Sequence, residues 1–436
     1  MAKSILPLLL ALVCLYKLNA QTQVDSFYTL EKLEKSLSFA QLTFGGDLLG
    51  IAGGTVMYQN QKLNFGATYQ PRLTFGGLHF WGHADFFVTF PIGLRLNNTP
   101  DFADKFKNVE GLETGFKIYP FALKPGKLRP YVGMSFQSRE FSYKNKGGEF
   151  KNGAPKFHSY ISPIQLGLTY CTSKFLFSCG MRYNWKNQFD YYYAEGSTAR
   201  IRQNPVNFSI SILRYFDSDI GMATPKQVDQ ENIKLHLLKK YNRLSSWYLG
   251  IGPSAALQMS KSAYIQEKYP FLNNQQLNST LIPDLTFGYY FSKLDANVGA
   301  SSRIMFFKAK AFDTDLRIIR GSISIEAYKF LFDYHGFVPY VGPMLSYESL
   351  ILRENGKMIS QQNKPALGIV FGWDIRVTQT GTSLLRTNLR YTPNLSMTVD
   401  NKKLMFDHLE FNFIQWVHFF GRGKVYSNHR TQKNNQ

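Results

Sequence analysis

The sequence predicts an all-β fold, an antiparallel transmembrane β-barrel of about sixteen strands in two eight-strand repeats. Three observations predict it. Apolar residues recur at every second position along most of the chain, short links alternate with long ones, and motifs of the first half return in the second. A period of two marks strands with one apolar and one polar face. Aromatic residues make up 16% of the 436, with 37 Phe and 26 Tyr, yet the mean hydropathy is -0.23. So many rings in so polar a chain must alternate with polar neighbours.

The first twenty residues, "MAKSILPLLLALVCLYKLNA", read as a secretory signal peptide: Lys3, an apolar run over 5–16, and the small Ala20 before the mature start. Cys14 follows Val13 rather than the small residue of a lipoprotein signal. Beyond residue 20 no run approaches the ~18 apolar residues of a membrane helix. The mature chain is therefore exported and soluble, or crosses a membrane as strands. Only a closed ring pairs every backbone group that faces lipid.

Along the chain, Val132, Met134 and Phe136 alternate with Gly133, Ser135 and Gln137; Met181, Tyr183 and Trp185 with Arg182, Asn184 and Lys186. Val206, Phe208, Ile210 and Ile212 alternate with Asn207, Ser209 and Ser211, and Leu409, Phe411 and Phe413 with Glu410 and Asn412. Links such as "HFWGH", "ALKPGKLRP" and "TQTGT" are short, whereas "NNTPDFADKFKNVEG", "NKGGEFKNGAPKFHS" and "QEKYPFLNNQQLNS" are long. Tight turns at one end and long loops at the other are the asymmetry of an outer-membrane barrel. This divides the chain into a leader (1–20), a first repeat (21–216), a linker (217–246), a second repeat (247–420) and a basic tail (421–436). The linker alone lacks period two. Pro225 near its start and Val228, Ile233, Leu235, Leu237 and Leu238 predict an amphipathic helix over 225–241, docked under the barrel on the periplasmic side.

The halves share motifs. "RPYVGMSF" at 129–136 matches "VPYVGPML" at 338–345, "MRYN" at 181 matches "LRYT" at 389, and "FSISILRYF" at 208 matches "FNFIQWVHFF" at 411. A repeat this long implies duplication of a whole barrel-sized unit. The hairpin motif comprises Tyr119, Pro120, Pro130, Tyr131 and Gly133, answered by Pro339, Tyr340 and Gly342. Proline is tolerated in a turn beyond the ladder, Gly133 gives room on the inner face, and Tyr119, Phe121 and Tyr131 are expected at headgroup level.

"YPF", a short basic turn and "RPYVG" together resemble the hairpin of small eight-stranded outer-membrane β-barrel proteins of Gram-negative bacteria, and "ILRYF" and "WVHFF" are similar to the aromatic terminal strands of that class. The resemblance implies an integral outer-membrane protein. Two departures stand out: the tail after Phe420, and the doubling of the unit. Doubling allows two closed eight-stranded barrels, which the long linker favours, or one sixteen-stranded barrel with an aqueous channel.

Net charge is +20, from 50 Lys and Arg against 30 Asp and Glu. For an exported chain this points to anionic lipid or lipopolysaccharide rather than nucleic acid. Glu113, Lys117, Arg139, Arg182, Glu326 and Arg390 lie on faces opposite apolar runs and are expected in the lumen, as a buried charge network in narrow barrels or as pore lining in a wide one. His79, His83 and His158 show no metal-ligand spacing, no cofactor motif is present, and the adjacent His158 and Ser159 point to opposite faces of a strand, poor geometry for a base and its nucleophile. Cys171 and Cys179 flank a turn centred on Ser173 and Lys174, a register that does not set them opposite each other, so the sequence leaves open both a cross-hairpin bridge and two reduced thiols. The expected function is structural or interactive, through membrane lipid and through an outer-membrane or periplasmic protein bound at the linker helix or tail. A porin is the alternative, and a lipid-modifying enzyme a third reading.

Overall fold

The structure, a computed structural model, describes residues 40–58, 61–97, 99–101, 103–145, 156–217, 225–272, 282–334, 336–376 and 378–426. The predicted leader, the end of the basic tail and most of the loop 145–159 lie outside them.

In chain order the first half contains β1 (Gln41–Ile51), the hairpin β2 (Gly54–Tyr58) and β3 (Gln61–Phe65), β4 (Thr68–His79), β5 (Ala84–Pro91), the short β6 (Leu96–Asn97), β7 (Ala103–Ile118), β8 (Lys127–Asn145), β9 (Phe157–Ile161), β10 (Ile164–Cys171), β11 (Phe175–Tyr183), the hairpin β12 (Gln188–Ala194) and β13 (Ser197–Gln203), and β14 (Val206–Asp217). Eight of these, β1, β4, β5, β7, β8, β10, β11 and β14, pair antiparallel with their chain neighbours, and β1 pairs with both β4 and β14. Gly50 stands opposite Phe208 across that closing seam. The ring is therefore complete within the first half.

Helix α1 (Pro225–Lys240) follows, then β15 (Ser246–Gln258), the short helix α2 (Ala263–Lys268), β16 (Ile282–Phe291), β17 (Ala296–Ala311), β18 (Thr314–Phe330), β19 (Phe337–Glu354), β20 (Lys357–Ile375), β21 (Ser383–Tyr391), the hairpin β22 (Ser396–Val399) and β23 (Lys402–Met405), and β24 (His408–Phe419). Strands β15 to β21 and β24 form a second closed barrel. One sixteen-stranded barrel is thereby overturned: each half pairs its own first and last strands, so no seam remains to join them.

Both ends of each ring, the short turns and α1 lie at one end, the turn end; the hairpins β2–β3, β12–β13 and β22–β23 and helix α2 lie at the other, the crown. In the first ring the links alternate short and long as the sequence suggests. The second departs from this. Its crown links at 312–313 and 355–356 are two-residue turns, because the strands continue upward where loops were expected. Asn355 and Gly356, with φ of 48° and 84°, make the left-handed pair that such a hairpin requires. The first half's "NNTPDFADKFKNVEG" is likewise half strand, since β7 begins at Ala103.

Alternation places side chains as the period dictates. On β14, Phe208, Ile210 and Ile212 are exposed outside, while Asn207 and Ser211 are buried inside. Each barrel is filled in three layers. At the turn end Leu78, Tyr119, Tyr131, Leu176 and Leu213 close the first, and Tyr248, Tyr328, Phe330, Tyr340 and Phe419 the second. At the crown Phe65, Phe106, Phe141 and Tyr191 cap the first, and Phe307, Leu350, Leu352, Met397 and Leu404 the second. Charges occupy the middle. Tyr119 and Tyr131, expected at headgroup level, are thus inside the barrel; of that trio only Phe121 is exposed, at 60%.

The rings touch side by side. Phe80 lies 5.7 Å from Phe337 and Phe86 lies 6.2 Å from Trp373, centroid to centroid, and Tyr192 of the first crown packs on the second crown's core. Helix α1 buries Leu235, Leu237 and Leu238, and Leu235 and Leu238 pack with Leu244, Val425 and Tyr426. Ile233, assigned from sequence to the apolar face, is exposed. The start of the tail does not hang free: Arg422 donates to the carbonyls of Leu244 and Gly381, each at 2.8 Å, and the Tyr426 hydroxyl donates to that of Thr380 at 2.6 Å.

Candidate functional site

The lumens hold the chemistry that the chain spends most to bury. Charges removed from water need opposite charges and hydrogen bonds around them, and strands supply these in register. In the first barrel an alternating chain runs Asp47, Arg72, Glu113, Arg182, Glu110. Arg72 approaches Asp47 at 2.5 Å and Glu113 at 2.7 Å; Arg182 approaches Glu113 at 2.7 Å and Glu110 at 3.1 Å. Gln165 adds a 2.9 Å bond to Glu113. Nearer the turn end, Lys117 pairs with Asp85 at 3.6 Å and lies 5.2 Å from the centroid of the Tyr131 ring.

The second barrel carries a longer chain of the same kind: Asp284, Arg390, Glu326, Arg303, Glu410, Arg320, Glu348. Arg390 reaches Asp284 and Glu326, both at 2.5 Å. Arg303 lies 3.5 Å from Glu326 and 2.6 Å from Glu410. Arg320 lies 3.0 Å from Glu410 and 2.8 Å from Glu348. Glu410 is within ion-pair distance of both arginines but off the hydrogen-bond direction, since neither of its oxygens completes a hydrogen bond. Below, Arg386 grips Asp374 at 2.6 Å and donates to the Tyr328 hydroxyl at 2.6 Å.

All six charges assigned from sequence to the lumen are buried there. Glu113 and Arg182 come together, as do Glu326 and Arg390. Lys117 belongs to a separate pair, and Arg139 stands apart, donating to the carbonyl of Lys186 at 3.5 Å and lying over Phe189. The sequence reading missed Asp47, Arg72, Glu110, Asp284, Arg303, Arg320, Glu348, Arg386 and Glu410. A signal for one was present: Arg386 and Arg390 sit four apart in "LLRTNLRY", and a period of two puts them on one face.

The repeated hairpins explain themselves in register. Pro130 stands opposite Leu168, two places beyond the last rung between β7 and β8 at Ile118 and Val132. Pro339 stands opposite Trp373, one place beyond the last rung between β18 and β19 at Phe330 and Tyr340. Each proline thus leads its strand in where one side of the ladder has ended; Pro120 lies in the turn itself. The following tyrosines turn inward, and the glycines after them let neighbouring backbone approach. A Cβ on Gly133 would lie 2.5 Å from the carbonyl oxygen of Phe116, and one on Gly342 would lie 2.0 Å from that of Ala327.

The cavity in the first charge network, beside Asp47, Arg72 and Arg182, measures about 20 Å³, room for a single water. His158 and Ser159 lie on β9 at the crown. Burial pushes the His158 imidazole down to about 4, and the Ser159 hydroxyl donates to the carbonyl of Tyr160 at 3.3 Å rather than to the imidazole. Among the described residues no group of His, Cys, Asp and Glu has metal-site geometry. Cys171 is buried and Cys179 exposed, and both are free.

A scan for known protein families finds no match, and a search of curated proteins finds none either. Among solved structures the chain is similar to Neisserial surface protein A, at 21% identity over 40% of this chain and 97% of that one, with a TM-score of 0.29. It is also similar to an outer membrane channel from Pseudomonas putida F1, at 8% identity over 90% and 100% with a TM-score of 0.22, and to the transport unit of the autotransporter AIDA-I from Escherichia coli, at 10% identity over 91% and 95% with a TM-score of 0.19. Likenesses this distant carry no argument about what the chain does.

Proposed function

We propose that the chain is an integral outer-membrane protein whose two filled barrels serve as a rigid, non-conducting and non-enzymatic platform, holding its crown outside and α1 with the tail on the periplasmic side. One observation carries the membrane reading. On β18 the outward residues between Lys329 and Arg317 are Ala327, Ile325, Ile323, Gly321 and Ile319, with Ile323 and Ile325 exposed at 64% and 59%. Lys329 and Arg317 lie twelve positions apart, which at ~3.3 Å per residue and a tilt of about 40° is about 30 Å of height, the thickness of a bilayer's hydrocarbon. Rings such as Trp247, Tyr289 and Phe291 gather outside at the turn end, the placement of an interfacial girdle. No helix of the described residues is long and apolar enough to span a membrane.

The non-conducting reading rests on the three packed layers and on charge balance. In the first barrel Arg72, Lys117, Arg139 and Arg182 stand against Asp47, Asp85, Glu110 and Glu113, and in the second Arg303, Arg320, Arg386 and Arg390 against Asp284, Glu326, Glu348, Asp374 and Glu410, which argues that the net charge of +20 is not carried by a pore lining. Reconstitution into planar bilayers tests it. The expected record is flat at applied potentials that open porins; steady channels of uniform conductance would overturn it. Cell fractionation tests the location, since the folded protein should require detergent for extraction and migrate differently on gels before and after boiling.

A further inference from the structure

Where the second barrel rises past its apolar belt, its strands align cations. Register sets Lys308 of β17 opposite Arg317 of β18, and Arg317 opposite Arg353 of β19. All three point outward and are exposed. Like charges facing each other across a ladder destabilise a sheet, and this row spans only about 10 Å at the usual strand spacing. Lys310 and Lys357 extend the positive surface. The nearby carboxylates do not cancel it. Asp315, held at 2.7 Å by Lys310 and 3.2 Å by Arg317, is shared between two of these cations, and Glu354 is taken by Lys268 at 3.1 Å. Lys308 and Arg353 have no ion-pair partner among the described residues.

The row immediately below is apolar in the same register: Phe306 opposite Ile319, and Ile319 opposite Ile351. Phe306 and, lower down, Ile304, Ile323 and Tyr347 are more than half exposed. A cationic row directly above an uncovered apolar wall matches one kind of molecule, an amphiphile with phosphate at its head and hydrocarbon below. Guanidinium and ammonium groups supply charge-assisted hydrogen bonds to phosphate, while the wall accepts acyl chains. We infer that the outer face of β17 to β19, through Lys308, Arg317 and Arg353, is a binding site for the phosphorylated headgroup of a lipid in the outer leaflet. The inference rests on the membrane reading above and adds a location and a chemistry to it.

Full-length protein in neutral detergent, titrated with fluorescent diphosphorylated lipid A, tests the site, with the dephosphorylated lipid and inorganic phosphate as the other arms. The triple variant K308Q/R317Q/R353Q should bind the diphosphorylated lipid about tenfold or more weakly, and the dephosphorylated lipid should bind wild type as weakly as that. A control variant at the turn end, K124Q/K127Q, should bind as wild type does. Equal affinity of the triple variant and wild type overturns the site. Full competition by millimolar inorganic phosphate overturns the lipid as its ligand. Heat-modifiable migration of the variants shows that they fold. A protein that fractionates as soluble sinks the membrane reading instead, so the two failures are distinguishable.

Discussion

The hydroxyl of Tyr131 stands 2.1 Å from the point that a Cβ on Gly180 would occupy, and 2.6 Å from the corresponding point on Gly167. The ring crosses the lumen to lie on two bare backbones, and the second barrel repeats the device with the Tyr248 hydroxyl against Gly288, at 2.6 Å. Gly180→Ala should therefore destabilise the first barrel by roughly 1–3 kcal/mol, the range for overpacking a core. Tyr131→Phe, which removes the clashing oxygen, should recover part of that loss in the double variant. Urea midpoints of the refolded protein measure both, and a Gly180→Ala variant as stable as wild type would show that the ring has somewhere else to go.

Arg390 holds Asp284 and Glu326 apart in the second barrel. Replacing it by methionine leaves two buried carboxylates without their shared cation, at a cost of about 3–5 kcal/mol. Removing charge on both sides, in D284N/E326Q/R390M, should cost less than the single change. The comparison of unfolding midpoints across the three proteins decides it, and a triple variant less stable than the single one would refute the argument.

Helix α1 is held by Leu235 and Leu238 against the start of the tail. Leu238→Ser should free it from the barrel and speed trypsin cleavage after Lys239 and Lys240 severalfold, because proteolysis follows the population of the opened form. Migration of the unboiled barrels on gels should not change. Unaltered cleavage would mean that other contacts hold the helix.

Trp373 and Phe86 join the two barrels through ring contacts, each aromatic pair being worth about 0.5–1.5 kcal/mol beyond area burial. Trp373→Ala combined with Phe80→Ala should let the barrels unfold in two separated thermal transitions, read by calorimetry. A single transition in the variant would place the coupling elsewhere.

Much of this architecture is legible in the sequence because strands have an integral period. Once Arg182 alternates with Met181 and Tyr183, its direction follows from theirs, and the doubled "PYVG" motif divides the chain. What periodicity does not encode is which inward groups meet. Glu326 finds Arg390 across 64 residues and Glu110 finds Arg182 across 72, distances set by the ring's closure rather than by any local pattern. The inward turn of Tyr119 and Tyr131 escaped for a related reason: a ring at a strand end suits an interface and a plug equally, and only the glycines on strands far away in sequence make room for the second. Asn355-Gly356 was a readable hairpin turn, overlooked because loops were expected at that end.

Each ring begins and ends on the same side, joined to the next by a single tether. A third unit added beyond Tyr426, where the docked part of the tail ends, would thread into place without disturbing the two already there, and the order of units along the gene would be free to change. Growth by copying is open to this architecture at any time, whereas enlarging one ring requires every strand to shift its neighbours at once.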